Sequence, residues 1–373
     1  MKLRLFPRER STEIPRQAWE SLAQHSIVSN PFYERWNLKA ALENLELSAN
    51  VEVVTAWQDD QLVGLFPICY STRLPFFTSA SVWKHDECYC TSPLVKNKSI
   101  WTEILSLLWK VRRVNMLINT TQTHHPLTPD SSLHLTTRSY QRAALDTTKS
   151  FQAMTEAWPR RRRKEWRRLL RKTMDGERAS YQNTRAGQAC FAAFDAYTRI
   201  ECRGWKGRAG TAIAQDKNKL NYYHCMIREG CKTGQVESQL LTFENKAIAA
   251  SLRIIRGNIA FEVKTSYCES HRQLSPGVLL EMLNMRQLAE GDLQFADSCT
   301  QAGNQVMEAL WPERVSVFNS VYFGPSLLSK LAWLCVKTYK CIKQKKLEHH
   351  RHTQKSTPAS EHQSRTVKMT SPR

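Results

Sequence analysis

The chain has 373 residues, too many for one ordinary hydrophobic core, and 41% are hydrophobic against 24% charged. That balance suits folded soluble domains and excludes a wholly disordered or collagen-like chain. The formal net charge is +20, which points to an anionic partner: nucleic acid, an anionic membrane surface, a nucleotide-like cofactor or an acidic glycan. The 11 cysteines are odd in number and lack framework spacing, and the opening MKLRLFPRER has no apolar core. No run of about 18 apolar residues appears. The expectation is a cytoplasmic protein with reduced thiols and no membrane span.

In chain order, residues 1–50 read as a lead-in with short helices over 15–23 and 33–45. Residues 51–57 and 62–68 predict a β-hairpin around the polar turn 58–61. Residues 71–100 are loop-rich, 100–111 predict an amphipathic helix, 115–120 a strand and 121–133 a loop. Residues 238–254 repeat the strand, polar turn, strand pattern. Each hairpin is followed by a loop carrying Ser-Pro (Ser92-Pro93, then Ser275-Pro276), a helix and a short strand. Either one unit is used twice, with a boundary near residue 147, or two hairpins merely look alike.

Residues 159–172, PRRRRKEWRRLLRK, predict a joining helix with a narrow apolar stripe of Trp166, Leu169 and Leu170. It is a solvated linker or a surface for phosphates or an anionic membrane. Residues 187–232 predict two helices around the glycine-dense basic connection 203–213, a loop able to mould to a ligand. Residues 326–347 predict a last helix with Leu327, Leu328, Leu331, Leu334, Cys335 and Ile342 flanked by lysines. That helix docks on the domain or serves as a peripheral membrane anchor. Residues 348–373 read as a disordered tail. His85, Cys88 and Cys90 lack a second Cys/His pair, so no metal site is expected.

The most pointed stretch is 260–283. Phe261, Val263, Thr265 and Tyr267 alternate with Glu262, Lys264 and Ser266, which predicts a strand. Val278, Met282, Met285 and Ala289 recur at helical spacing. Ser275 suits the N-cap, where its hydroxyl can accept a helix N–H, and Pro276 suits the first helical position. Gly277 lets an outside group approach the backbone. Strand, small-residue turn and helix N-terminus can hold an anion such as a pyrophosphate, or be a capped core helix without a ligand.

These segments together resemble a known family. Residues 203–212 (RGWKGRAGTA), 249–252 (AASL), 264–267 (KTSY), 274–280 (LSPGVLL), Asp297 and Trp311-Pro312 are similar to the CelD-like GNAT acyltransferases. Those are bacterial proteins often associated with cellulose and other exopolysaccharide synthesis, distantly related to FemAB-type peptidoglycan aminoacyltransferases. The resemblance spans roughly residues 50–320. It implies an α/β fold of tandem GNAT-like halves, each a mixed, mostly antiparallel sheet flanked by helices. The expected organisation is an N-terminal half at 1–147, an acyltransferase half at 148–325, the basic helix 326–347 and the tail 348–373. The first half, with no glycine after its Ser-Pro, reads as structural or acceptor-binding.

The activity implied is N- or O-acyl transfer from acetyl-CoA or another acyl-CoA, without a metal. The acceptor implied is a saccharide or cell-envelope precursor, in the cytoplasm or at the inner membrane face. By the same resemblance Ser275, Pro276, Gly277 and Val278, with Arg272 and Gln273, take the place of the CoA pyrophosphate site. The chain departs from the family in having fewer glycines there, Cys268-Glu269 after the tyrosine, and residues 301–305 (QAGNQ) after the aspartate.

Acyl transfer from a thioester needs a general base, donors for the oxyanion and a protonated leaving thiol. Glu262 is a candidate base and Lys264 a candidate to position an anion or the carbonyl; together they could instead form a cross-strand ion pair. Tyr267 could protonate the thiolate, although its parity groups it with core residues. Asp297 follows a short strand, a usual place for a catalytic or orienting carboxylate, and could equally cap a helix. Arg203, Trp205, Lys206, Arg208 and Tyr267 are candidates for substrate contacts, guanidinium to phosphate and indole to a sugar or adenine face. Two other readings stand beside this one. One is an aminoacyl-tRNA-dependent transferase with 160–172 holding the tRNA; the other is a non-catalytic scaffold of a polysaccharide synthase anchored by 326–347.

Overall fold

In the computed structural model, residues 1–123, 126–129, 133–174 and 178–355 are described. The chain opens with β1 (Lys2–Pro7), α1 (Arg16–His25), α2 (Arg35–Asn44), β2 (Val51–Gln58), β3 (Gln61–Leu74) and β4 (Phe77–Val82). Then come β5 (Leu94–Val95), α3 (Lys98–Val111), β6 (Met116–Thr123) and β7 (Leu133–Asp146). A connector holds α4 (Phe151–Glu156) and α5 (Arg160–Met174). The order then recurs: β8 (Ala179–Thr184), α6 (Gly187–Arg203), α7 (Trp205–Arg208), α8 (Lys217–Lys232), β9 (Val236–Phe243), β10 (Lys246–Arg256) and β11 (Ile259–Tyr267). It closes with α9 (Pro276–Ala289), β12 (Phe295–Asp297), α10 (Gln305–Leu310), β13 (Glu313–Phe323) and α11 (Leu327–Lys355).

The two expected hairpins are built alike. Gln58 pairs with Gln61 and Phe243 with Lys246, so each turn has two residues. Both turns place both residues at positive φ: Asp59 and Asp60 at 48° and 60°, Glu244 and Asn245 at 50° and 60°. That geometry matches the twist of the flanking strands. Each hairpin continues into a third strand, β4 or β11, which runs parallel to the strand beyond the next helix, β6 or β12. One unit is therefore used twice.

The halves join in one mixed sheet ordered β1-β2-β3-β4-β6-β13-β7-β12-β11-β10-β9-β8, with β5 beside β3. Each half gives its last strand to the other. β7 pairs with β12, and β13 pairs with β6. β7 and β13 also pair antiparallel from Ala144–Glu313 to Leu133–Phe323. Two clusters of buried side chains form the core: one around Trp101, Tyr33 and Tyr222, the other around Leu280, Met285 and Trp311.

Several expectations need correction. β1, β7, β8 and β13 are strands where none was expected, and β6 runs on to Thr123 into the expected loop. The connection after Arg203 is not a loose loop but the short helix α7. Lys206 Nζ lies 2.7 Å from Glu201 Oε1 and Arg208 Nη2 2.8 Å from Glu269 Oε2. The apolar stripe of α5 docks on the second core cluster, with the Trp158 and Trp166 rings edge-to-face at 4.6 Å. Its basic face is left to solvent. α11 does not bury its leucines: Leu327, Leu328, Leu331 and Leu334 are exposed, and Ser329 is the residue turned into the protein. The helix runs to Lys355. Residues 356–373, where the tail was expected, lie outside the described residues.

Candidate active site

β11 is hydrogen-bonded to β12 only over Ile259–Phe261, because β12 ends at Asp297. The rest of β11 keeps β10 on its other side up to Tyr267 but has lost this neighbour. The parting strands open a cleft of about 420 Å³. Glu262, Lys264 and Tyr267 of β11 form one wall, and Gly277 and Glu281 of α9 another. Ser298 to Thr300 after β12, Trp205 and Lys206 of α7, and Tyr89 from the first half complete it.

One end of the cleft holds two buried carboxyl groups. Arg253, fully buried on β10, points Nε at Glu262 Oε2 (2.9 Å) and Nη1 at Glu237 Oε2 (3.2 Å), and also donates to Gln287 Oε1 at 2.7 Å. Burial pushes the Glu262 carboxyl up, against the pull of Arg253. Glu281 Oε1 accepts from Trp311 Nε1 at 3.0 Å. Its carboxyl is pushed up to about 8, first by burial and then by the charge of Glu262. Glu262 Oε1 and Glu281 Oε2 are buried without a hydrogen-bond partner among the described residues. A proton shared at this end is the cheapest way to hold two carboxyls out of water.

The opposite wall is tied to the first half. The loop after β4 brings Glu87 under β11, where Lys264 Nζ lies 2.6 Å from Glu87 Oε2 and Lys219 Nζ 3.3 Å from Oε1. Tyr223 donates its hydroxyl to Glu87 Oε2 at 2.5 Å. Burial works against ionisation of Glu87, but Lys264 outweighs it and holds the carboxyl down at about 2. Lys264 is likewise held protonated: burial opposes its charge, and Tyr89 and Glu87 overcome that. The pairing with β10 slips from Arg253–Glu262 to Leu252–Lys264, so Val263 is an extra, bulged residue. The bulge leaves Glu262 on the α9 face with Arg253 and turns Lys264 to the opposite face with Glu87 and Tyr223. The two therefore do not share a face, as was expected, and do not pair with each other.

The remaining expected residues fall in several places. Asp297 does not reach the cleft. It is fully buried, with Oδ1 2.6 Å from Arg142 Nε and Oδ2 2.6 Å from Arg142 Nη2, and Oδ1 accepts from Cys299 N at 2.9 Å. It shapes the 298–300 turn from beneath and clamps β12 to β7. Tyr267 is not in the core to which its parity assigned it but 47% exposed at the cleft mouth; the bulge at Val263 reverses the alternation beyond Glu262 and turns Tyr267 toward Gly277. Ser275 stands at the N-cap of α9 but in the left-handed region at φ 45°, and its side chain makes no cap bond. Pro276 is buried at the helix start and Val278 half-buried against the second core cluster. A Cβ at Gly277 would sit 2.9 Å from Tyr267 Cδ1, so a side chain there would displace that ring. Arg272 and Gln273 are exposed on the tight helical turn Glu269–Leu274 before α9.

Trp205 is exposed at the mouth beside Lys206. Arg208 is turned to Glu269, and Arg203 lines a separate groove of about 590 Å³ with Arg199, Lys246 and His271. Sequence reasoning missed Glu281, Glu87 and Tyr89. A lone acid between Leu280 and Met282, inside the apolar run of α9, was the available signal for Glu281.

A family model described as an acetyltransferase (GNAT) domain matches residues 160–305, and so falls on the second half. No curated protein sequence matches the chain. Among solved structures, FemX superposes with a TM-score of 0.54 at 10% identity, covering 89% of this chain and all (100%) of that one. The C-terminal domain of a putative lysylphosphatidylglycerol synthetase from Agrobacterium fabrum gives 0.53 at 9% identity, covering 86% of this chain and 94% of that one. A conserved protein of unknown function from Bacteroides thetaiotaomicron gives 0.50 at 9%, covering 83% and 98%. At such identities the likeness is one of fold. The chain carries a GNAT-like fold in two joined halves, each a share of a mixed sheet flanked by helices.

Proposed function

We propose that the chain is an acyl-CoA-dependent N- or O-acyltransferase whose chemistry takes place in the cleft between β11 and β12. The observation that carries this reading is the parting of two parallel strands over a buried carboxyl pair, beside a helix N-terminus, within the segment matched by the acetyltransferase model. The donor fits the residues present. Ser275 gives α9 no side-chain cap, so the first N–H groups of the helix are left for an anion, and Arg272 stands exposed just before them.

In the reaction the acceptor nitrogen or oxygen attacks the thioester carbonyl carbon, and the C–S bond breaks. Glu281, once ionised, takes the proton the acceptor loses and returns it to the departing thiolate. Its carboxyl at about 8 suits both steps near neutral pH. Lys264, fixed by Glu87, is the cation of the wall, and the Thr300 hydroxyl is a donor for the developing oxyanion. The acceptor in this reading is a saccharide or envelope precursor. The CelD-like resemblance supports that, as do the exposed Trp205 and Tyr267 rings at the mouth, which suit a sugar face. The reaction would run in the cytoplasm or at the inner face of the membrane.

Calorimetric titration with acetyl-CoA, beside Gly277→Glu, tests the donor. Saturable binding lost in the variant supports it; no binding by the folded wild type refutes it. A second reading, transfer from an aminoacyl-tRNA, is favoured by the solvent-facing arginines of α5. It expects RNA binding that falls steeply with salt, and no binding of CoA.

A further inference from the structure

Asn115 ties three segments together at one end of the sheet. Its Oδ1 accepts from Thr78 N at 2.8 Å, its Nδ2 donates to Ser326 Oγ at 3.0 Å, and its carbonyl accepts from Gly324 N at 2.9 Å. The β3–β4 hairpin tip, the end of α3 and the start of α11 therefore share this end. Its surface differs from the rest. Of 14 large hydrophobic side chains exposed among the described residues, nine belong to these segments: Leu74 and Phe76 on the hairpin tip, Val111 closing α3, and six on α11. Trp205, Tyr267 and Val306 are accounted for by the cleft.

On α11, Leu327, Leu331, Leu334 and Ile342 fall on one stripe at helical spacing, away from Ser329, Trp333 and Val336 on the protein side. Phe76 is 83% exposed and Leu327 73%. Such a cluster costs free energy in water and marks a docking surface. Its charge is one-sided. Residues 70–82, 110–116 and 324–342 contain no aspartate or glutamate but carry Arg73, Lys110, Arg112, Arg113, Lys330, Lys337 and Lys340, of which Arg112 is paired with Glu52 of β2 at 3.2 Å.

We infer that this end of the protein is a docking face for an anionic lipid bilayer. α11 lies in the plane of the interface, and Phe76 and Leu74 enter beside it. No helix among the described residues is long and apolar enough to cross a membrane, so the contact is peripheral. A second copy of the chain is a poor occupant, because it would set lysines against lysines. An anionic headgroup layer satisfies the cations while the acyl boundary takes the apolar side chains from three separate elements.

The test is co-sedimentation of the full chain with vesicles of phosphatidylcholine alone and of phosphatidylcholine with phosphatidylglycerol. Binding is expected only to the anionic vesicles, weakening with salt. Leu331→Glu with Leu334→Glu lowers it at least about tenfold, and Phe76→Glu, on another element, also weakens it. All these side chains are exposed, so thermal unfolding should not move. No binding by the wild type, equal binding to both vesicles, or unchanged binding by the variants overturns the inference. So does a concentration-dependent dimer, or a complex with an acidic protein, that Leu331→Glu abolishes while vesicle binding persists.

Discussion

Replacing Glu281 with glutamine removes one ionisable carboxyl from the cleft and keeps an acceptor for Trp311 Nε1, 3.0 Å away. In the folded chain this carboxyl is pushed from its ordinary 4.5 up to about 8, mostly by burial and then by Glu262. A carboxyl raised by folding favours the folded state fully below its ordinary value, and that advantage is lost as the pH climbs through the folded value. Each pKa unit is worth about 1.4 kcal/mol, so between about pH 5 and about pH 8 the wild type should lose ~3 kcal/mol of unfolding free energy on account of this group. That is a large fraction of a typical domain's stability. Urea unfolding of wild type and Glu281→Gln across this range measures it. The variant's stability should fall less with pH, by that amount. Parallel curves would show that Glu281 is ionised or hydrated in the folded protein and would remove it as the acid–base group. If the proposed chemistry holds, wild-type transfer rises with pH through about 8, while the variant loses about 10²–10⁴-fold and its profile flattens.

Arg142→Met leaves the Asp297 carboxylate unpaired with no exposure, and should cost about 3–5 kcal/mol in denaturant unfolding; a loss under about 1 kcal/mol would mean that the β7–β12 clamp is not a structural tie. Glu87, held down at about 2 from 4.5, contributes stability that is present above its ordinary value and lost as the pH falls toward about 2. Glu87→Gln should therefore remove ~3 kcal/mol near neutrality and flatten the acid limb, followed by circular dichroism. An acid limb identical to wild type would contradict the Lys264–Glu87 pairing. Gly277→Ala puts a methyl group against the Tyr267 ring. It should weaken acetyl-CoA binding by displacing that ring, with an unchanged dissociation constant as the contrary result.

The parts legible in the sequence are those set by local chemistry. The hairpins around Asp59-Asp60 and Glu244-Asn245 follow from alternation and turn residues, and α3 and α9 from their period and, for α9, from Pro276 at its start. The repeat was readable because both halves use the same local code. β7 and β13 were not expected, although β13 carries Val315, Val317, Phe318, Val321, Tyr322 and Phe323; what fixes these strands is pairing with partners in the opposite halves, which no local pattern names. Parity assigned Tyr267 to the core because the bulge at Val263, which shifts every later residue of β11 to the other face, is set by the pairing with β10 and not by the local pattern. The site depends on longer distances still. Glu87 meets Lys264 across 177 positions, and Arg142 meets Asp297 across 155. Whether Glu281 is a surface acid or a carboxyl pushed up to about 8 is decided by what packs over it. Burial sets the cost of its charge, and no local pattern along the chain records burial.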